Sequence, residues 1–432
     1  MTLFGSSGIR GRYPSEVDET LFLELGAALG SLYDTIVAGR DVRGSGIPLL
    51  HALAAGATSR GAEVHDAGLV TTPTLAHLAA RFDAGAMVTA SHNPSEYNGL
   101  KLWLPSGMAF DEARRATFEA AMAAPSPPAA WKDVGSVYPH PGGLREHQEK
   151  ILAALESVET PVALDCGNGS TSLLTPEVLR RLGCDVACLN CQPDGAFPGR
   201  GAEPTDEALT DLSRRVRGSD AALGIAHDGD GDRMVALDEE GRMAKPEKLL
   251  ILFAQAIGAR RVVAPVDASM VLEDTLGKDA VVRSRVGDVY VAEALVQEDA
   301  DLAGEPSSTW IFPDFALAPD GPYAAARLCT MLQEGPLGER LEGLPDYPLL
   351  RGTVAYDPAD RDLTPLQEAM EAVDAPEVNR LDGWRFSFDD AWAIVRASGT
   401  EPVIRLTVEA RDEGRTTEIY ETLRAKVSGA IA

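Results

Sequence analysis

The sequence predicts three related α/β domains with mixed sheets, followed by a C-terminal α+β domain. Three observations carry this reading. The chain has 432 residues, too many for one ordinary core. A pattern of strand, short polar loop, helix and second strand occurs three times. After that the pattern changes to alternating strands and a last helix.

The first unit, residues 1–135, carries Ile36-Val37-Ala38-Gly39-Arg40-Asp41, a Gly/Ser loop, a helical run and GAEVHDAG. The second, 144–238, carries Val162-Ala163-Leu164-Asp165, the loop CGNGS, a helical run and GCDVACLN. The third, 239–338, carries Val262-Val263-Ala264-Pro265-Val266-Asp267, a helical run and DAVVRSRVG. Each is a βαβ unit, which requires a partly parallel sheet. APSPPAAW (124–131), HPGG (140–143) and GPLGERLEGLPDYP (335–348) read as linkers. In residues 345–432, WRFSFDDAWAIVRAS and EPVIRLTVEA alternate as antiparallel strands do, and a helix closes the chain.

The formal charge is −27, from 66 acidic and 39 basic residues, of which only seven are lysine. Such a surface repels nucleic acid and anionic membrane. An anionic small molecule would therefore need a local basic pocket. Sparse lysine beside abundant carboxylate also suggests adaptation to high salt, where screening relieves self-repulsion. No apolar run reaches the roughly 18 residues of a membrane span, and no secretory leader is evident, so a cytoplasmic protein is expected. Cys188 and Cys191 form a CxxC without a second half, and the five cysteines read as thiols of a reducing compartment.

Five motifs remain. TASHNP (89–94) follows an apolar strand and presents Ser91 beside His92, with Lys101 ten residues beyond the serine. A serine hydroxyl needs a base or prior modification to act, and no GxSxG surrounds this one. Lys101 could move protons if a neighbouring cation lowers its pKa. HDGDGDR (227–233) sets Asp228, Asp230 and Asp232 on alternate positions between glycines. Carboxylates so close repel one another unless a hard cation such as Mg²⁺ or Ca²⁺ sits between them. An EF-hand is excluded because its sixth position, where glycine is required, is Arg233. RASGTEPVIR (396–405) places Arg396 and Arg405 around Ser398, Gly399 and Thr400, an anion nest. SSGIRGR (6–12) offers Arg10 to a phosphate, and Glu305 and Ser307 of AGEPSSTW could bond sugar hydroxyls.

Taken in order, SSGIRG, TASHNP, DGDGDR, GEPSS and RASGTEP resemble the α-D-phosphohexomutase family over nearly the whole chain. The resemblance implies four domains around one central cleft. It implies a phosphoryl-carrying serine at Ser91, bound by one Mg²⁺ together with Asp228, Asp230 and Asp232. Lys101 would be the general acid/base, with His92 beside it and Arg10 near the phosphoserine. Arg233, Glu305 and Ser307 would read the sugar. Arg396, Ser398, Gly399, Thr400 and Arg405 would hold the phosphate that is not reacting. The implied reaction interconverts hexose 6-phosphate and hexose 1-phosphate through a hexose 1,6-bisphosphate. The implied partner is a hexose or hexosamine phosphate, bound by a monomer or homodimer.

Two departures bear on the sugar. Ser308 and Thr309 stand where many members have Gly and His, and Asp288 stands where some have His. The sugar loop looks closer to archaeal members, so glucosamine phosphate is the expected substrate, with mannose or glucose phosphate as the alternative. A non-catalytic sugar-phosphate sensor would predict a decayed serine or metal loop, and neither is decayed.

Overall fold

The structure is a computed structural model and describes residues 4–5, 8–357, 363–398 and 402–431. Four sheets account for its strands. The first contains β1 (Ile9–Arg12), β2 (Thr35–Arg40), β3 (Glu63–Leu69), β4 (Ala84–Val88), β5 (Tyr97–Trp103) and β6 (Val137–Pro139), in the spatial order β1-β5-β4-β2-β3-β6. The second contains β7 (Pro161–Asp165), β8 (Asp185–Leu189), β9 (Leu223–His227) and β10 (Met234–Leu237), in the order β10-β9-β7-β8. The third contains β11 (Val262–Pro265), β12 (Val281–Ser284), β13 (Leu302–Gly304) and β14 (Trp310–Ile311), in the order β12-β11-β13-β14.

These three sheets repeat one topology. A central strand (β2, β7 or β11) pairs in parallel with the strand after its helix and with a second parallel strand. That second strand (β4, β9 or β13) then turns back into an antiparallel neighbour, β5, β10 or β14. The reason is legible in composition. Strands covered on both faces have no polar side to show, so β4 (AGAMV) and β9 (LGIAH) are buried at every position. Helix starts are set by side-chain caps: Asp18, Thr71, Asp111, Asp320 and Asp412 each accept a hydrogen bond from a first-turn amide.

The fourth sheet is antiparallel, with β15 (Leu349–Ala355), β16 (Glu377–Asn379), β17 (Trp384–Ser387), β18 (Ala391–Ala397) and β19 (Val403–Ala410) in the order β15-β19-β18-β17-β16. The helix Glu413–Ala430 buries Ile419, Leu423 and Val427 against its core.

Two compositional boundaries differ from the structure. The first sheet extends past residue 135, because β6 pairs with β3 after the proline-rich stretch. The segment 335–348 is not simply a linker: Leu337–Glu342 is a short helix, and Leu337 and Leu341 enter the core. Its glycines and prolines mark the ends of that helix rather than an absence of structure. The second and third units also share one continuous apolar core, from Ile151 to Leu341, whereas the first and last have cores of their own.

Candidate active site

The three topologically equivalent turns, from the second parallel strand into its antiparallel neighbour, carry the chemistry-bearing motifs. Ser91 lies between β4 and β5, the aspartates between β9 and β10, and Glu305 and Ser307 between β13 and β14. The carboxyl ends of parallel strands are where open α/β sheets bind ligands.

Ser91 sits in the left-handed region at φ 52°, a strained conformation that persists only where the surroundings enforce it. Arg43 does the enforcing. Its guanidinium is wholly buried and donates to the carbonyls of Ser91 (2.9 Å), Asn93 (2.6 Å) and Tyr97 (2.9 Å), and also to that of Pro94. Asp41 holds this arginine at 3.0 Å and accepts from Thr89 Oγ1 at 2.7 Å, while Thr89 Oγ1 accepts the Ser91 amide at 2.8 Å. One buried ion pair thus shapes the whole loop.

The Ser91 hydroxyl donates to Asp228 Oδ2 at 2.8 Å. The metal loop reaches it because Gly229 has no side chain: a Cβ there would lie 2.6 Å from Ser91 O. Gly231, at φ +82°, makes the bend that turns all three carboxylates inward. The Asp228, Asp230 and Asp232 oxygens lie within 4.8 Å of one another. Lys101 Nζ donates to Asp230 Oδ2 at 2.8 Å and Asp232 Oδ2 at 2.5 Å, and Thr72 Oγ1 donates to Asp230 Oδ2 at 2.6 Å. Asp230 Oδ1 and Asp232 Oδ1 are buried with no hydrogen-bond partner among the described residues. Two orphaned acceptors in a cluster of hard oxygen donors fit a divalent cation such as Mg²⁺.

The electrostatics agree with an electron-rich cluster. Burial, with Asp232 and Asp230 adding repulsion, pushes Asp228 well above the usual carboxylate range. Asp230 is buried too, yet Lys101 and Thr72 hold it ionised, below its ordinary value. Burial opposes the Lys101 charge, but Asp230 and Asp232 outweigh it and the ammonium is raised. The condition set for Lys101, a pKa depressed by a nearby cation, is therefore not met in this arrangement, because its closest partners are anions. Burial, together with Arg233, Arg10 and Lys101, pushes His92 down to about 2, so its imidazole is neutral at working pH. His92 Nδ1 is 3.4 Å from Ser91 Oγ. Arg10 donates to Asn93 Oδ1 at 3.1 Å, and its Nε is buried without a partner among the described residues.

The sugar loop is tied to the metal loop. Arg233 and Thr309 form an isolated bridge, Met234 N donates to Ser308 O at 3.0 Å, and Trp310 Nε1 donates to Met234 O at 2.8 Å. Ser308 stands at φ 66°, the conformation that a glycine would adopt freely. Thr309 Oγ1 donates to Glu305 Oε2 at 2.8 Å, and Gly287 N donates to Oε1 at 3.0 Å. Burial, with Asp288 adding to it, pushes Glu305 up to about 7.

In the C-terminal unit, Arg396 and Arg405 are cross-strand partners on β18 and β19. Ser398 closes β18, with its amide donating to Val403 O at 2.9 Å. Gly399 and Thr400 lie outside the described residues. An open cleft of about 620 Å³ is lined by Arg233, Asp267, Ser307, Arg351, Arg396 and Arg405. It is the local basic pocket that the chain's charge demanded. The sequence reading missed Arg43, Asp41, Thr72, Thr89 and Arg351. The sequence Arg40-Asp41-Val42-Arg43, placed directly after a buried strand, was the available signal for the first two; Arg351 had none.

A fold of three repeated α/β sheets plus an antiparallel module, with a serine held against an acidic cluster and a cleft lined by four arginines, Arg233, Arg351, Arg396 and Arg405, is that of a phosphoryl-transfer enzyme acting on a sugar phosphate. The four models of the phosphoglucomutase/phosphomannomutase family match in order: α/β/α domain I at residues 1–127, domain II at 145–241, domain III at 245–347 and the C-terminal domain at 358–426. The chain belongs to this family and is a hexose phosphate mutase. A probable phosphoglucosamine mutase of Methanosarcina acetivorans is 44% identical over 437 residues, covering 100% of both chains. The crystal structure of a phosphoglucomutase/phosphomannomutase family protein from Burkholderia thailandensis superposes with a TM-score of 0.89 at 28% identity, over 99% of this chain and 97% of that one. An N-acetylphosphoglucosamine mutase of Aspergillus fumigatus, solved with GlcNAc-6P and magnesium, shares the fold at a TM-score of 0.62 and 15% identity, covering 100% and 96%.

Proposed function

We propose that this chain interconverts glucosamine 6-phosphate and glucosamine 1-phosphate, with Ser91 as the phosphoryl carrier. The observation that carries the proposal is the Ser91 Oγ–Asp228 contact of 2.8 Å in a cluster with two carboxylate oxygens that have no partner among the described residues. A serine phosphate at this position would be favoured by the Arg10 guanidinium, and a divalent cation would offset its repulsion from the aspartates.

In the forward direction the Ser91 Oγ–P bond breaks as a sugar hydroxyl oxygen bonds to phosphorus. The hydroxyl proton leaves to a nearby base, and Ser91 Oγ, stripped of its phosphate, regains one. Lys101, an ammonium between Asp230 and Asp232, would supply the proton to Ser91 Oγ, and the neutral imidazole of His92 would take the hydroxyl proton. Mg²⁺, held by Asp228, Asp230, Asp232 and the serine phosphate, would neutralise charge on the transferring group. The product of this half-reaction is the 1,6-bisphosphate. After it turns over in the cleft, its other phosphoryl group returns to Ser91. That turn explains the separate anion site: Arg396, Ser398 and Arg405, with Gly399 and Thr400 completing the motif, would hold whichever phosphate is not reacting. Arg233, Glu305 and Ser307 would hold the sugar.

The name of the Methanosarcina relative supports glucosamine over mannose or glucose, as does the acidic environment of Glu305, formed with Asp288 and Asp267, which suits an amino sugar. A net charge of −27 would suit a protein working at high salt, where screening relieves self-repulsion, and a cytoplasmic setting is part of this reading. The test is turnover of glucosamine, glucose and mannose 1-phosphates side by side, with catalytic bisphosphate and Mg²⁺. Glucosamine 1-phosphate should give the highest kcat/KM, with no net phosphate release. Faster turnover of either other sugar would overturn the substrate, and stoichiometric phosphate release would overturn the mutase mechanism.

A further inference from the structure

Outside the cleft, the CxxC segment meets a third cysteine. Cys166 directly follows β7, and Cys188 and Cys191 lie at and just beyond the end of β8, its parallel neighbour. Cys166 is buried, Cys191 is partly buried and Cys188 is exposed; none is in a disulfide. The Cys166 and Cys191 sulfurs are 3.2 Å apart. A disulfide requires about 2.05 Å, so small side-chain rotations would close the gap.

We propose that Cys191 and Cys166 are a hydroperoxide-reactive dithiol, converted reversibly to a disulfide that alters the support of the metal loop. Reactivity needs a thiolate that an oxidant can reach. Cys191 meets both demands: it is the partly exposed member, and its contact with the Cys166 side chain holds its thiol below the ordinary range against the effect of burial. Cys166 is raised by burial and stays protonated, as a resolving thiol should. Cys188 is more exposed, but its thiol is raised by partial burial and by Cys191, although Arg180 Nη2 lies 3.2 Å from its sulfur.

In the first step the Cys191 thiolate attacks one peroxide oxygen. The O–O bond breaks, water or an alcohol leaves, and a sulfenic acid forms. In the second step the Cys166 sulfur attacks the sulfenic sulfur. The S–S bond forms, and hydroxide leaves with the Cys166 proton as water. Two thiols lose two electrons and the hydroperoxide gains them. A thiol reductant reverses the change by exchange.

The linked positions lie in the two loops that brace the residues flanking Asp228. Asp165, next to Cys166, pairs with Arg200 Nε at 3.1 Å, and Arg200 also donates to His227 O. The Ser170 amide, in the loop after Cys166, donates to Gly229 O at 3.0 Å. Asn190, next to Cys191, accepts the Asn168 amide at 2.7 Å and donates to Asp165 Oδ2 at 3.0 Å. Drawing the sulfurs together therefore acts on the Asp228 turn without touching the reacting groups.

The experiment treats the full chain with hydrogen peroxide, maps tryptic peptides and follows mutase turnover before and after dithiothreitol. The expected result is a cross-link between the peptides 151–180 and 182–200, with a turnover loss of about three- to tenfold that dithiothreitol restores. Cys191→Ser should start at wild-type activity and lose both the cross-link and the peroxide sensitivity, whereas Cys188→Ser should keep both. A disulfide between Cys188 and Cys191 in place of the cross-link would overturn the proposal. So would no disulfide at all, or a cross-link that leaves turnover unchanged.

Discussion

The serine–metal junction and the sugar–phosphate cleft border the same site, yet they are built in opposite ways. At the junction, Ser91, Lys101, Asp228, Asp230 and Asp232 are buried and in contact across two domains. In the cleft, Arg233, Ser307, Arg351, Arg396 and Arg405 surround about 620 Å³ of open space. The difference follows from the tasks. Phosphoryl transfer gains most from groups held in place before the reaction. A cleft in which a bisphosphate turns over, as proposed above, would need room and cations reachable from more than one side. Rigidity belongs to the reacting atoms and space to the rest of the ligand.

The comparison breaks most visibly at the serine. Ser91→Ala should lower turnover by at least about a thousandfold, since it removes the proposed phosphoryl carrier itself. Sugar-phosphate binding, measured by calorimetry, should stay within about threefold. Near-normal turnover would mean that the junction is not the reacting centre.

Arg43 sharpens the same contrast from the structural side. Arg43→Met removes five donors and leaves Asp41 buried beside unpaired carbonyls, a loss of about 3–5 kcal/mol. Chemical denaturation should read that loss as a lower midpoint. Arg351→Met, at the open cleft, should lower stability by less than about 1 kcal/mol, with a correspondingly small midpoint shift, and instead raise KM. Equal shifts for the two variants would erase the distinction.

The smallest effect is expected at Glu305, pushed up to about 7 by burial and then by Asp288. Its carboxylate form, able to accept from sugar hydroxyls or pair with an ammonium, appears only as pH rises through that value. kcat/KM should therefore climb severalfold between about pH 6 and 8, and Glu305→Gln should flatten that limb. The stability term has the opposite sign. A carboxyl raised above its unfolded value contributes most below about pH 4.5, and the contribution fades as pH rises through about 7.

Much of this was legible in the chain, for identifiable reasons. Repeated strand–loop–helix–strand patterns imply parallel sheets, because hydrophobic periodicity is local. TASHNP, DGDGDR and GEPSS were legible because glycines, small residues and clustered carboxylates announce turns that bind something. Arg43 was not: an arginine three residues beyond a strand reads as surface until four distant carbonyls close around it. The state of Lys101 was not legible either, since its charge depends on Asp230 and Asp232, separated from it by more than a hundred residues. Segment 335–348 was misleading because its glycines and prolines flank a helix short enough to hide between them.

By itself the sequence determined the repeated α/β architecture, the acidic surface with its need for a basic pocket, and the residue types at each reactive turn. Each of these is written in local pattern or in composition. The tertiary structure decided that Arg233 and Ser307 meet Arg351, Arg396 and Arg405 around one cleft, that Ser91 and Asp228 share a hydrogen bond, and that a buried arginine holds the serine in a strained conformation. Those facts depend on distances between residues far apart in the chain, and only packing sets such distances.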